Sequence, residues 1–187
     1  MNISKFFQKR PSHNVWKGMV AGLVGGFVGS WTMNQFQSLY RKVEESFDQE
    51  GKKNNDRLDQ NAQQTSSKQE EPATAKAAIA ISETIFEHKL TKEEKKTAGS
   101  AVHFAFGAAS GGVYGAIAEL APAVTTGVGL PFATALWLSA DEIGVVALGL
   151  ARPPQEYSFS THVYSFTAHL VYGITTDLVR RAVLSVI

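Results

Sequence analysis

Acidic and imidazole side chains lie within the otherwise apolar second half of the chain, where such groups need a partner, a proton or water. Asp141 and Glu142 are adjacent and would point about 100° apart on an α-helix, so one is expected to face the bundle and the other a neighbouring helix. His162 and His169 are seven residues apart, on one stripe of a later helix. Asp177 continues a row of every fourth residue from His169. We expect one internal polar cluster, with the members Asp141, Glu142, His169 and Asp177.

Three interpretations of this cluster remain open. It can be a static hydrogen-bonded core that fixes helix register, a proton or ion pathway, or an intramembrane metal site of carboxylates and imidazoles. The static core is the common role of such groups, and we expect no resident metal and no cofactor. Asp177 can also pair with Arg181 four residues later, as charges near helix ends do. Secondary polar positions are His103, Glu119 and His162, of which Glu119 is expected at an interface.

Sequence templates for enzymes and nucleic-acid binders are absent. The chain has no H-E-x-x-H motif and no Walker loop, and Gly127-Val128-Gly129 is too short for a dinucleotide site. Zero cysteines exclude disulfides, thiolate catalysis and cysteine-bound metal. A net charge of +1 leaves no basic patch for nucleic acid. We therefore expect a protein that is not an enzyme.

The charged residues are concentrated in one block. Residues 41–97 hold 11 of the 18 Lys and Arg residues and 12 of the 17 Asp and Glu residues of this 187-residue chain. The rest is nearly free of charge and rich in glycine and aromatic residues, and it is long enough to cross a bilayer several times. The pattern predicts a polar extramembrane insertion within an integral membrane protein.

Four stretches have the length of a membrane span. Residues 18–40 carry no charge and would reach about 34 Å as a helix, enough for a hydrocarbon core of about 30 Å. A secretory signal peptide is the alternative for this first stretch, although no A-x-A cleavage site follows it. Residues 97–118 form the second stretch, which follows a capping box formed by Thr91 and Glu94. Residues 158–179 form the fourth.

Two overlapping segments could form the helix of the third span, and we call them its two frames. Residues 120–140 are free of charge but contain Pro122, Pro131 and a glycine-rich turn. A helix that starts at Pro131 and runs to Ala151 places Asp141 and Glu142 at its centre. We favour this second frame.

Small residues recur every fourth position in the first two spans. The first span has Gly18, Gly22 and Gly26, with Gly25 and Gly29 beside them, and the second has Gly107, Gly111 and Gly115. Such GxxxG ridges let helix backbones approach closely in membranes. The ridges are expected to pack on one another within the chain, or else to form a homo-oligomer or part of a larger membrane complex.

Orientation and the polar block complete the topology. Basic residues flank the first span on its amino side, and Arg180 and Arg181 follow the last, so both termini are expected in the cytoplasm and the block outside.

Residues 44–72 have almost no apolar content and are expected to be disordered or loosely helical. Residues 73–90 have helical periodicity. They predict either a helix on the membrane surface or bundle, or an extension of the second span.

Several stretches between residues 99 and 184 resemble the YagU-type family of bacterial inner-membrane proteins, which has no known function. They are His103-Phe104, residues 114–122, Trp137 with Asp141-Glu142, residues 148–154, residues 169–173 and residues 177–181. The resemblance implies a multi-pass protein of the bacterial inner (cytoplasmic) membrane and no mechanism.

The sequence thus predicts an all-α membrane bundle of about four transmembrane helices in three parts. These are residues 1–40 with the basic flank and first helix, the insertion 41–97, and a three-helix core 98–187. Its expected partner is the lipid bilayer. The function expected is the handling of protons or a small cation by the buried groups. The alternative is a structural or assembly subunit whose polar core serves packing alone.

Overall fold

The computed structural model describes residues 14–55 and 71–187, and all regular structure in these two ranges is helical. The five long helices are α1 (Val15–Asn55), α2 (Ala73–Ile85), α3 (Lys92–Leu120), α4 (Leu130–Ala147) and α5 (Phe159–Leu184). Two short 3-10 turns, Pro122–Thr125 and Pro154–Glu156, lie before α4 and α5. The all-α prediction is therefore confirmed for the described residues.

Helix α1 is the centre of the bundle. It packs antiparallel to α3 on one side and to α5 on the other, while α4 packs on α5 and α2 on α3. Two helices, α3 and α4, are long and apolar enough to cross a membrane by length and composition. Buried residues make up 33% of the most apolar stretch of α3 and 6% of that of α4.

The predicted capping box begins α3, as the sequence indicates. The Glu94 N–H donates to the Thr91 hydroxyl (3.4 Å), and the Thr91 N–H donates to the Glu94 carboxylate (2.8 Å). These bonds hold the pKa of Glu94 below its ordinary value of 4.5, chiefly through the Thr91 backbone N–H and then its hydroxyl. The start of α3 is thus stabilised by an ionised carboxylate.

The frame that starts at Pro131 is confirmed for α4. Gly129 adopts a left-handed conformation (φ 84°) and caps a helix with Pro131 in its first turn. The helix ends at Ala147, four residues earlier than predicted, and Gly149 (φ 69°) turns the chain away. Asp141 and Glu142 consequently lie past the midpoint of α4 rather than at its centre.

The polar block is more helical than predicted. Helix α1 continues beyond the first predicted span to Asn55, and the rest of the segment expected to be disordered, up to residue 70, lies outside the described residues. Helix α2 is separate from α3, since the chain reverses near Glu87 (φ 52°). The interpretation that residues 73–90 extend the second span is therefore wrong. Instead, α2 lies on the bundle, with Ala75 against Gly99 of α3.

Candidate functional site

Glycine backbones form the contact between α1 and α3. A Cβ added at Gly22 would lie closer than 3.0 Å to the carbonyl oxygen of Gly111, and one at Gly26 would meet the carbonyl of Gly107 in the same way. A Cβ added at Gly115 would likewise lie closer than 3.0 Å to the carbonyl oxygen of Gly18. The structure therefore brings the two predicted ridges together within one chain, at separations that no other residue type permits.

A second glycine face of α1 packs on α5. A Cβ at Gly25 would lie 2.5 Å from the carbonyl oxygen of Thr176, and one at Gly29 would lie 2.9 Å from the Tyr172 carbonyl oxygen. The Tyr172 hydroxyl donates to the Gly107 carbonyl of α3 (2.6 Å). Helix α1 thus has close neighbours on two sides.

Asp177 is fully buried and lies in an ion cluster at the carboxyl end of α5. The Tyr114 hydroxyl of α3 donates to its Oδ1 (2.9 Å), and the Arg180 guanidinium donates to the same oxygen (3.0 Å). Arg181 donates to Oδ2 (2.7 Å), which is the predicted pairing at i, i+4. Arg180 also pairs with Glu119 (3.3 Å), so two cations and two carboxylates share the cluster.

The predicted meeting of Asp177 with Asp141, Glu142 and His169 does not occur. Helix α4 runs antiparallel to α5, so its first residues lie beside Asp177 and Asp141 lies beside Ser165. Asp177 and Ser165 are 12 residues apart, about 18 Å along the helix. Asp177 consequently lies in a different site from Asp141 and Glu142, and His169 lies between the two sites along α5.

The second site, which we call the acid–imidazole pocket, joins α4 to the start of α5. Glu142 Oε1 lies 2.8 Å from His162 Nδ1, and His162 Nε2 lies 3.0 Å from the Pro154 carbonyl oxygen. The Ser165 hydroxyl donates to Asp141 Oδ2. Both acids face α5, whereas the sequence predicted that they diverge. Trp137–Gly144 forms a π-helix, and its wider turn narrows the angle between consecutive side chains.

A cavity of about 280 Å³ opens beside these groups. Its lining combines Asp141, Glu142 and His162 with Lys76 of α2 and Arg152 of the loop before α5. The apolar part of the wall comes from the end of α4, including Val145 and Val146. Carboxylates, an imidazole and two cations thus border one space that is large enough for several waters or a small solute.

The remaining predicted histidines lie deeper. His169 Nδ1 lies 2.9 Å from the carbonyl oxygen of Ser165, one turn earlier on α5. The His103 ring of α3 lies within hydrogen-bonding range of the Ser30 backbone of α1 and interacts electrostatically with His169. Neither histidine contacts Asp141 or Glu142 directly through any hydrogen bond between the described residues. In the same part of the chain, no group of three acids or histidines is arranged to hold a metal ion.

Sequence reasoning missed several members of both sites. Tyr114 is 63 residues from Asp177, and a lone tyrosine in an apolar span carries no signal of such a bond. Ser165 could have been found, because it lies three residues after His162 and four before His169 on one stripe. In the sequence, Arg180 is recognisable only as a basic residue after the last span, because its proximity to Glu119 depends on tertiary packing.

Over the described residues, the protein is an all-helical bundle, and two of its helices have the length and composition of membrane spans. The chain belongs to the DUF1440 family, described as a protein of unknown function, whose family model matches residues 61–178. Neither a curated protein nor a solved structure matches it.

Proposed function

We propose that this chain is a multi-pass protein of the bacterial inner membrane, of the YagU type, in which α1, α3, α4 and α5 all cross the bilayer. The core helix of a soluble protein is mostly buried, whereas α4 has 6% of its most apolar stretch buried and exposes Leu138 and Ile143. Large apolar side chains are exposed along α1 and α3 as well, among them Phe27, Trp31 and Val113. Lipid is the solvent that suits this surface.

The proposed orientation has both termini in the cytoplasm. Lys17 of α1 and Arg180 and Arg181 of α5 lie at the same end of the bundle, where Lys17 also donates to the Ile187 carbonyl. Positive residues gathered at one end favour the cytoplasmic side for that end. The acid–imidazole pocket then lies toward the outer face.

We propose further that the protein handles protons or a small cation through the acid–imidazole pocket. The observation that carries this proposal is the 2.8 Å contact between Glu142 and His162 beside the 280 Å³ cavity. Such an acid–imidazole pair can exchange protons near neutral pH. Polar side chains continue inward along one stripe of α5, namely His162, Ser165, His169, Tyr172 and Thr176.

The test is ion movement in proteoliposomes, with an internal pH dye and imposed proton, Na⁺ or K⁺ gradients. Native protein is expected to exceed empty liposomes for one of these ions, and Glu142→Gln to remove that difference. Glu83→Gln is the matched control, because Glu83 is exposed on α2 and is not among the residues that line the pocket. Native flux at the level of empty liposomes would contradict ion movement through the pocket.

The second candidate is a structural or assembly subunit of a membrane complex. The ion cluster around Asp177 favours it, because two arginines and two carboxylates pair within the chain and leave a fixed arrangement. Both glycine ridges are also occupied inside the chain. A homo-oligomer would then use another surface, and mass measurement in detergent or nanodiscs tests for it.

A further inference from the structure

Ser30 is buried in the middle of the bundle with an unpartnered hydroxyl. Its exposed fraction is 0%, and no hydrogen-bond partner for its Oγ exists among the residues that the structure describes. Other helix hydroxyls donate to the preceding turn, as Thr167 does to Val163 (2.7 Å) and Thr176 to Tyr172 (2.7 Å). The Ser30 hydroxyl instead points at Gly107, into the space that a Cβ at that glycine would fill.

A second unpartnered atom lies one turn away on the facing helix. His103 precedes Gly107 by four residues on α3, so both lie on the face that contacts Ser30. Its Nε2 is buried and likewise has no hydrogen-bond partner within residues 14–55 and 71–187. The His103 ring lies within hydrogen-bonding range of the Ser30 backbone and interacts electrostatically with His169 of α5.

Buried polar atoms in native proteins are almost always satisfied, and water is the usual partner where protein supplies none. A hydroxyl and an imidazole nitrogen that meet at one helix contact offer a water both a donor and an acceptor. Two independent orphans, on two helices, therefore indicate one shared ligand.

We propose that Ser30 and His103 bind an internal water at the contact between α1 and α3. Neither residue lines the acid–imidazole pocket, so the inference goes beyond the proposed function and does not depend on it.

The direct test is magic-angle-spinning NMR of the full chain in lipid bilayers, with ¹⁵N-labelled histidine and polarisation transfer from water protons. His103→Gln identifies the signal of the His103 ring. We expect a water contact at the His103 ring in the native protein and its loss in Ser30→Ala. The absence of that contact in the native protein, or its persistence in Ser30→Ala, would overturn the assignment.

The direction of the change in melting temperature is an independent test of whether the site is hydrated. If the site is hydrated, Ser30→Ala removes a partner of the water and lowers the melting temperature. If the site is dry, the same change removes an unsatisfied hydroxyl and raises it, which contradicts the proposal. Ser46→Ala is the control, because Ser46 lies on the same helix, is exposed and donates to Val43 (2.7 Å).

Discussion

Asp141 and Glu142 are consecutive in the chain, yet both carboxylates contact α5, Asp141 at Ser165 and Glu142 at His162. An α-helix would direct them about 100° apart. The π-helix Trp137–Gly144 reduces this divergence, and His162 and Ser165 lie three residues apart on the facing stripe. A local change in helix type thereby creates a two-acid site from adjacent residues.

Close contact of α1 with α3 should make Gly111→Leu strongly destabilising. The Gly22 carbonyl and the Gly26 backbone occupy the space that a side chain would need. We expect a loss of about 3 kcal/mol or more, at the upper end for overpacking, measured by thermal unfolding in detergent. Ala109→Leu is the control, because Ala109 is exposed on the same helix. Equal melting temperatures for the two variants would show that the ridge is not a packing contact.

Removal of the Asp177 charge should also destabilise the bundle. Asp177→Asn leaves Arg180 and Arg181 in a buried setting without their shared carboxylate, which typically costs about 3–5 kcal/mol. Glu156→Gln breaks an exposed pair with Arg152 and should change stability by less than about 1 kcal/mol. Chemical unfolding of both variants makes the comparison. An equally small effect at Asp177 would mean that the cluster is open to solvent.

The first turn of α3 should be sensitive to acid. Hydrogen bonds from Thr91 hold the pKa of Glu94 below 4.5, so the stabilisation is present above pH 4.5 and is lost as the pH falls through the lower, folded-state value. Amide exchange in residues 92–96, corrected for intrinsic rates, should increase in that range. Glu94→Gln should remove the pH dependence. Exchange that rises with acid equally in this variant would assign the effect to another group.

Topology can be tested with single cysteines, since the native chain has none. A cysteine at Ser66 or Ser67, both outside the described residues, should react with a membrane-impermeant reagent in intact spheroplasts. A cysteine at Ser4 should stay unlabelled, because the proposed orientation places it in the cytoplasm. Labelling of both positions, or of Ser4 alone, would contradict four crossings with both termini inside.

The local elements were predictable from the sequence because their signals are local. Three correct predictions each depend on residues at most four positions apart. They are the Thr91 capping box, the start of α4 next to Pro131 and the pairing of Asp177 with Arg181. The spacing of Gly107 and Gly111 likewise marks a close backbone approach before any partner is known.

The composition of the sites could not be predicted in the same way, because it depends on how helices are shifted along one another. Because α4 packs antiparallel to α5, Asp141 lies beside Ser165, whereas Asp177 accepts a hydrogen bond from Tyr114. The π-helix has no recognisable sequence signal here, so the shared direction of the two acids was missed. Helix α2 separates from α3 through a reversal at Glu87, a non-glycine residue with positive φ.

The central claim is that Glu142 and His162 form the group that binds the exchangeable proton, and titration of His162 tests it most directly. The measurement is the ¹⁵N signal of the His162 ring in bilayers as a function of pH, for native protein, Glu142→Gln and the control Glu83→Gln. Loss of the carboxylate 2.8 Å away should lower the titration midpoint of the ring, because a nearby negative charge favours the protonated ring. The control should match the native protein. A midpoint that is the same in all three proteins, or a His162 ring that does not titrate, would contradict the claim.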